Sequence, residues 1–170
     1  EGLNPCGACV SCRKIDAEEH PDVQVIRPET KVFKIDQIRQ LIQDICFQPI
    51  EGAWRVFILD DADRMNEQAS NSLLKTLEEP PSNSLLILVT SNLYILLPTI
   101  QSRGQILKFN PIPSKEIENF LKTRHDFSPE HALAAARLCQ GSVGTALRIS
   151  MQTFEEMRTM VFQMFSAMEE

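Results

Sequence analysis

The sequence predicts an α/β fold, a partial parallel sheet with flanking helices followed by a small all-α domain. Three observations carry that reading. Val56-Phe57-Ile58-Leu59, Leu85 to Val89 and Ile106 to Phe109 are short apolar runs without alternation, which suits strands buried on both faces of a parallel sheet. Helical patterns separate these runs, as in βα units. After Pro111-Ile112-Pro113 only helical patterns remain, which sets a boundary between residues 1–110 and 111–170.

The elements follow in order. A short helix is expected from Ser11 to about Glu19, broken by His20-Pro21-Asp22, with a strand over Val23 to Arg27. Ile35, Ile38, Leu41, Ile42 and Ile45 fall on one helical face, with Asp36 near the start where the helix dipole favours an acid. Pro49 and Gly52 close that helix. Asn66 is placed to cap the next, which ends at Glu79 before Pro80-Pro81. Leu93 to Gln101 reads as a short helix broken near Pro98. In the second part Ser114 caps one helix, and Ser128 caps another with Pro129 at its first position. Gly141-Ser142 precedes a third helix, and Thr153 to Met168 forms a fourth.

Composition narrows the function. The 170 residues carry 17 Lys plus Arg against 23 Asp plus Glu, with 43% hydrophobic and 24% charged residues, an ordinary globular balance. A net charge of -6 without a basic stripe argues against a free-standing nucleic-acid binder. No apolar stretch approaches the ~20 residues of a membrane span. Neither a secretory n-region nor an h-region opens the chain, and the five Cys are an odd number, which points to a reducing compartment. Cys46 and Cys139 lie within apolar helical patterns and are expected to be buried.

Several residues have chemical potential. Asp60 and Asp61 end a buried strand, where open α/β sheets bind ligands, so they either hold Mg²⁺ and phosphate or form a solvated strand end. Arg103, after Ser102 and before Gly104, is either a phosphate-stabilising finger or an ordinary surface arginine. Thr90-Ser91-Asn92 either senses a phosphate or caps the following helix. Cys6, Cys9 and Cys12 keep a C-x₂-C-x₂-C spacing suited to zinc, which takes four ligands in structural sites. An iron–sulfur cluster would want Cys at the position of Asp16. His20 either completes a Cys₃His set or begins a turn with Pro21, in which case the fourth ligand is expected outside this chain. His125 and His131 read as surface or capping residues. No phosphate-cradling G-x-x-x-x-G-K-[ST] occurs in these residues.

Asn71 to Pro81, reading NSLLKTLEEPP, resembles a helix of the clamp-loader subunits of bacterial DNA polymerase III, members of the AAA+ class. Phe57 to Asp63 resembles their Walker B strand. The cysteine cluster, Ile35 to Arg39, Ser102-Arg103 and Gly141 to Leu147 agree in order and spacing. Within that family the delta-prime type is the best match. The ATPase subunits, gamma and tau, carry Asp-Glu in Walker B and an Arg in the lid, where this chain has Asp61 and Gly144.

The resemblance implies a subunit without ATP binding or hydrolysis of its own, working in the cytoplasm within the DNA polymerase III holoenzyme, a nucleotidyltransferase assembly. It would help load the sliding clamp onto primed DNA beside gamma, tau and delta, with DNA contact arising through the assembly and no membrane involved. Arg103 becomes a finger acting in trans, with Ser102 as its motif partner; the family's next residue is Cys, here Gly104. Asp60 and Asp61 become a degenerate Walker B pair and Asn92 a sensor-like residue. Residues 1–110 become an AAA+ core with a zinc module near 6–12, and residues 111–170 a helical lid. The family's first zinc cysteine and phosphate loop are expected before Glu1, and its oligomerising helical collar after residue 170. Because the phosphate-loop strand normally lies between the runs at 85–89 and 106–109, a gap or unusual pairing is expected there. Two other functions compete: a gamma- or tau-like ATPase core whose phosphate loop lies elsewhere, and a zinc-dependent protein-interaction module.

Overall fold

The computed structural model describes residues 5–149 and 159–160. The chain divides into two compact units, residues 1–106 and 107–170. Among the described residues no helix is long and apolar enough to cross a membrane.

The first unit runs α1 (Val10–Asp16), β1 (Val23–Ile26), α2 (Ile35–Asp44), β2 (Arg55–Leu59), α3 (Glu67–Glu78), β3 (Ser84–Leu88) and α4 (Pro98–Gln101), with single 3₁₀ turns at Ala62–Arg64 and Leu93–Ile95. The strands form one parallel sheet in the order β1-β2-β3. Its register sets Ile26 beside Leu59 and Leu59 beside Leu88, so all three carboxyl ends lie together. The periodic residues of α2 do what their spacing predicts: Ile38, Leu41 and Ile45 are buried against Phe57 and Leu59 of β2 and Leu73 of α3. Full burial of such side chains contributes roughly 1.5–3 kcal/mol each. Asn66 caps α3, its side chain accepting the Ala69 N–H at 2.9 Å. Helix α2 stops at Asp44, well before Pro49, because Cys46 N and Phe47 N turn back onto Gln43 O and Asp44 O.

Three expectations for this unit are corrected. Ile106 to Phe109 forms no strand; an extended apolar run becomes a strand only when a neighbour takes its N–H and C=O groups, and among the described residues none does. Phe109 is 92% exposed. For the same reason β3 ends the sheet and is not buried on both faces, with Leu85 and Ile87 exposed. Cys46 lies on the outer side of its turn and is exposed, whereas Cys139 is buried.

The second unit contains α5 (Ser114–Arg124), α6 (Pro129–Leu138) and α7 (Val143–Arg148), packed around Ile117, Leu121, Ala135, Cys139 and Ala146. Ser128 caps α6 through the His131 N–H, with Pro129 at the first position, and Ser142 caps α7 through the Thr145 N–H. Ser114 is not a cap. It is already helical, Pro113 occupies the cap position, and no side chain caps the end. The Pro113 carbonyl instead takes the Glu116 N–H at 2.9 Å. The expected helix over Thr153 to Met168 lies, but for residues 159–160, outside the described residues. Gly141 is more than punctuation. Its φ is +83°, its carbonyl accepts the Ile112 N–H at 3.1 Å, and a Cβ there would stand 2.4 Å from Pro111 Cβ.

Candidate functional site

The parallel register brings the residues just past β1, β2 and β3 to one edge of the sheet, where Arg27, Asp60 and Val89 follow the last strand residues. Asp60 N donates to Ile26 O at 3.0 Å, and Val89 N to Leu59 O at 2.9 Å, so this edge is held by backbone bonds. Asp60 therefore stands at the carboxyl end of the sheet. Its carboxylate is already engaged: Arg27 Nε lies 3.4 Å from Asp60 Oδ2, and the same guanidinium grips Glu18 through Nη1 and Nη2 at 2.9 and 2.8 Å. Glu18 holds the Arg27 guanidinium firmly in its charged form, with a smaller contribution from Asp60.

Asp61 turns away from this pair. Its φ of 58° is left-handed, a conformation Asp tolerates better than most residues, and its carboxylate lies 3.4 Å from Arg64 Nη2. Asp63 has a role that its spacing gave no hint of. Its Oδ1 accepts the Thr90 hydroxyl at 2.8 Å and the Ser91 N–H at 3.3 Å, tying the loop after β2 to the loop after β3. Asn92 caps the 3₁₀ turn through the Tyr94 N–H at 3.1 Å. Capping thus describes Asn92, while Thr90 and Ser91 bond to Asp63 instead.

Arg103 and Ser102 lie just past α4, apart from the aspartate pairs. The guanidinium donates Nε to Glu78 Oε1 at 3.0 Å, Nη2 to the same oxygen, and Nη1 to Thr99 O at 2.7 Å. Ser102 Oγ donates to Thr99 O at 3.1 Å. Gln101 fixes the base of this segment, its amide nitrogen donating to Leu93 O and Leu96 O at 2.9 and 2.8 Å. A Cβ on Gly104 would meet nothing within 4 Å, so the loop does not depend on a packed side chain at that position.

The cysteines converge. Cys6, Cys9 and Cys12 place their sulfurs within 4.8 Å of one another, and among the described residues they are the one group of three or more His, Cys, Asp or Glu gathered closely enough to hold a metal. Gly7 at φ +67° permits the turn between them. Cys9 N donates to Cys6 Sγ at 3.3 Å and Cys12 N to Cys9 Sγ at 3.4 Å, while Cys6 Sγ and Cys12 Sγ are 3.8 Å apart. The Ala8 and Cys9 backbone N–H groups hold the Cys6 thiol down to about 7. The Cys12 thiol is raised: the Gly7 backbone pulls it down, but the neighbouring Cys9 and Cys6 outweigh it. Three clustered thiols suit zinc and supply three of the four ligands of a structural site. His20 is not with them; it is buried, and its Nδ1 accepts the Asp22 N–H at 3.1 Å. His131 shares the α6 cap with Ser128, and His125 ends α5 beside the Phe120 ring.

Glu78, Arg27 and Asp22 have roles that residue patterns did not disclose. Glu78 pairs with a residue 25 positions on, and Asp22 accepts backbone N–H groups from Ile50, Glu51 and Gly52. Pairs this distant along the chain leave no periodic signal.

The model of a family described as DNA polymerase III, delta subunit, matches residues 1–113. DNA polymerase III subunit delta' of Bacillus subtilis is 34% identical over 170 residues, covering 99% of this chain and 51% of its own length. The subunit of the same name from Pseudomonas aeruginosa is 34% identical over 162 residues, covering 93% of this chain and 49% of its own. The chain thus spans about half the length of these relatives. Among solved structures, a DNA polymerase III gamma subunit-related protein from Thermotoga maritima matches with a TM-score of 0.56 at 33% identity, over 69% of this chain and 42% of its own.

Proposed function

The chain belongs to the family described as DNA polymerase III, delta subunit, and from that membership we propose that it serves a clamp loader as a delta-prime-type subunit that does not itself hydrolyse ATP. It supplies Arg103 in trans to the ATP site of a neighbouring ATPase subunit of the gamma or tau kind. Together with delta, these subunits place the sliding clamp on primed DNA.

The observation that carries this reading is how the strand-end aspartates are engaged. The two aspartates at the strand end are each paired with an arginine of the same chain, Asp60 with Arg27 and Asp61 with Arg64. Those pairings engage the carboxylates that a Mg²⁺–nucleotide site would use. Arg103 lies just past α4, paired with Glu78 of the same chain and with its side chain 30% exposed. An arginine supplied in trans stabilises the charge of a phosphoryl group transferred on a neighbouring chain. Cys6, Cys9 and Cys12 would hold zinc as a structural brace for the turn leading into α1.

The test is clamp loading by the full-length subunit assembled with its ATPase partners, clamp and primed DNA. Arg103→Ala is expected to slow DNA-stimulated ATP turnover at the adjoining site by roughly 10³-fold, the lower range for such fingers, and to leave zinc content unchanged. Wild-type turnover in that variant would remove Arg103 from the mechanism.

A second reading, an ATPase of gamma type, draws on the likeness to the gamma subunit-related structure. Asp61, with its left-handed backbone and its Arg64 partner, counts against it. ATP turnover by the full-length subunit alone would favour it.

A further inference from the structure

The bonds around Arg103 leave one donor of Nη2 unengaged and hold the second donor of Nη1 only weakly. The group carries five N–H donors in a rigid plane. Nε and Nη2 share one side of that plane, and both donate to the single oxygen Oε1 of Glu78. Nη1 gives one of its hydrogens to Thr99 O at 2.7 Å. One N–H on Nη2 remains unengaged and one on Nη1 is met only by Ser102 Oγ, so these two are the donors an incoming phosphate can take up. Ser102 Oγ stands 3.5 Å from Nη1, at the limit of a bond, and competes weakly for one of them.

We propose that Glu78 is the positioning residue of this arginine. It grips one edge of the guanidinium so that the other is presented, already oriented, to an incoming phosphate. The inference rests on the finger role of Arg103 given above and adds to it the residue that aims it. Glu78 is the last residue of α3, whose N-terminus Asn66 caps and whose Leu73 is fully buried. The anchor is therefore part of the packed unit, not of the loop it holds. On the other side Gln101 ties α4 to the carbonyls of Leu93 and Leu96. Between these two fixings the side chain has little freedom to search for its target. Pre-organisation of that kind removes an ordering cost from the reactive complex, and a misplacement of about 1 Å can cost on the order of 10²-fold in rate. Glu78 accepts hydrogen bonds through Oε1, and the salt bridge leaves its carboxylate half exposed, so it need not release Arg103 for a phosphate to bind.

The experiment uses the full-length subunit in the assembled loader and measures DNA-stimulated ATP turnover as kcat and KM for wild type, Glu78→Gln, Glu78→Asp, Arg103→Ala and the double variant Glu78→Gln/Arg103→Ala. Glu78→Gln is expected to lower kcat about 5- to 20-fold with KM for ATP within about twofold of wild type. Glu78→Asp is expected to recover part of that loss. The double variant is expected to be no slower than Arg103→Ala alone, since a residue acting only through Arg103 has nothing left to position. Thermal unfolding of each variant separates a loss of aim from a loss of fold. Three results overturn the proposal: wild-type kcat in Glu78→Gln beside a slow Arg103→Ala, a further loss in the double variant, or a kcat that merely follows thermal stability. The first of these spares the finger reading. Unchanged turnover in Arg103→Ala sinks both.

Discussion

Asp22 accepts the backbone N–H of Ile50 at 2.6 Å across 28 residues. Glu51 N and Gly52 N add two more bonds at 2.7 Å to its second oxygen, and the residue is 1% exposed. One buried carboxylate therefore holds the turn that feeds β2, at the end of the sheet opposite Asp60. Burial pushes its carboxyl upward, but the Ile50, Gly52 and Glu51 N–H groups together outweigh it and leave it below its ordinary value of 3.8.

A carboxyl lowered in the folded state stabilises the fold above its unfolded value and loses that contribution as pH falls through the folded one. Stability owed to Asp22 is thus complete above about pH 4 and declines below it. Asp22→Ala strands three N–H groups and is expected to cost roughly 3 kcal/mol. Asp22→Asn is expected to cost less and to flatten the acid limb. Urea unfolding at pH 3 to 7 checks both, and an acid limb that persists unchanged in Asp22→Asn rules the assignment out.

Asp63 adds a side-chain tie between two loops that the Ala62 N–H to Val89 O bond already brings together. Asp63→Ala leaves the Thr90 hydroxyl and the Ser91 N–H without their acceptor and is expected to cost roughly 1–2 kcal/mol. A double-mutant cycle with Thr90→Val reads the coupling directly. Additive effects would mean that the bond contributes nothing.

Two glycines of the second unit are expected to behave oppositely. Gly141→Ala forces a left-handed residue against Pro111, and the clash and strain together are expected to cost about 2–4 kcal/mol. Gly144 lies inside α7 with open space around its Cβ position, so Gly144→Ala is expected to stabilise by up to about 1 kcal/mol. Hydrogen exchange of the α5 to α7 amides distinguishes the two, and equal protection in both variants would contradict the geometry.

The thiols invite a metal-removal test on the full-length protein. Cys9→Ser deletes the central ligand of the three and is expected to lower zinc retention under chelator at least tenfold. Arg103-dependent ATP turnover is expected to change far less, because the thiols and Arg103 share none of the bonds described. Equal zinc retention in Cys9→Ser and wild type would show that these sulfurs are not the ligands.

Local chemistry was legible in the sequence; distant pairing was not. The face of Ile38, Leu41 and Ile45 and the caps Asn66 and Ser128 depend on neighbours within a turn or two, and periodicity and cap residue types find them, though Ser114 shows that a cap residue type alone does not fix the helix start. Ile106 to Phe109 has strand composition but no strand, because a ladder needs a second chain segment that composition does not specify. Among the site residues, the clustering of Cys6, Cys9 and Cys12 follows from their spacing. The partners Arg27 for Asp60 and Glu78 for Arg103 are set by how the units of helix and strand pack, so nothing near Asp60 or Arg103 announces them.

The order of the sheet also has a consequence in time. Every pairing in it is parallel, Val23 with Val56 and Val56 with Leu85, and each requires a crossover helix to be traversed first. No hairpin is available to start the sheet locally. Closing such long loops before any ladder forms is slow, so the first unit is expected to assemble later than the helical second unit, whose contacts are nearer in sequence. During that interval the Arg27–Asp60 pair and the Asp63 tie do not exist, since both need two strand ends already side by side. The edge that handles charge in the finished protein is therefore among the last parts of it to form.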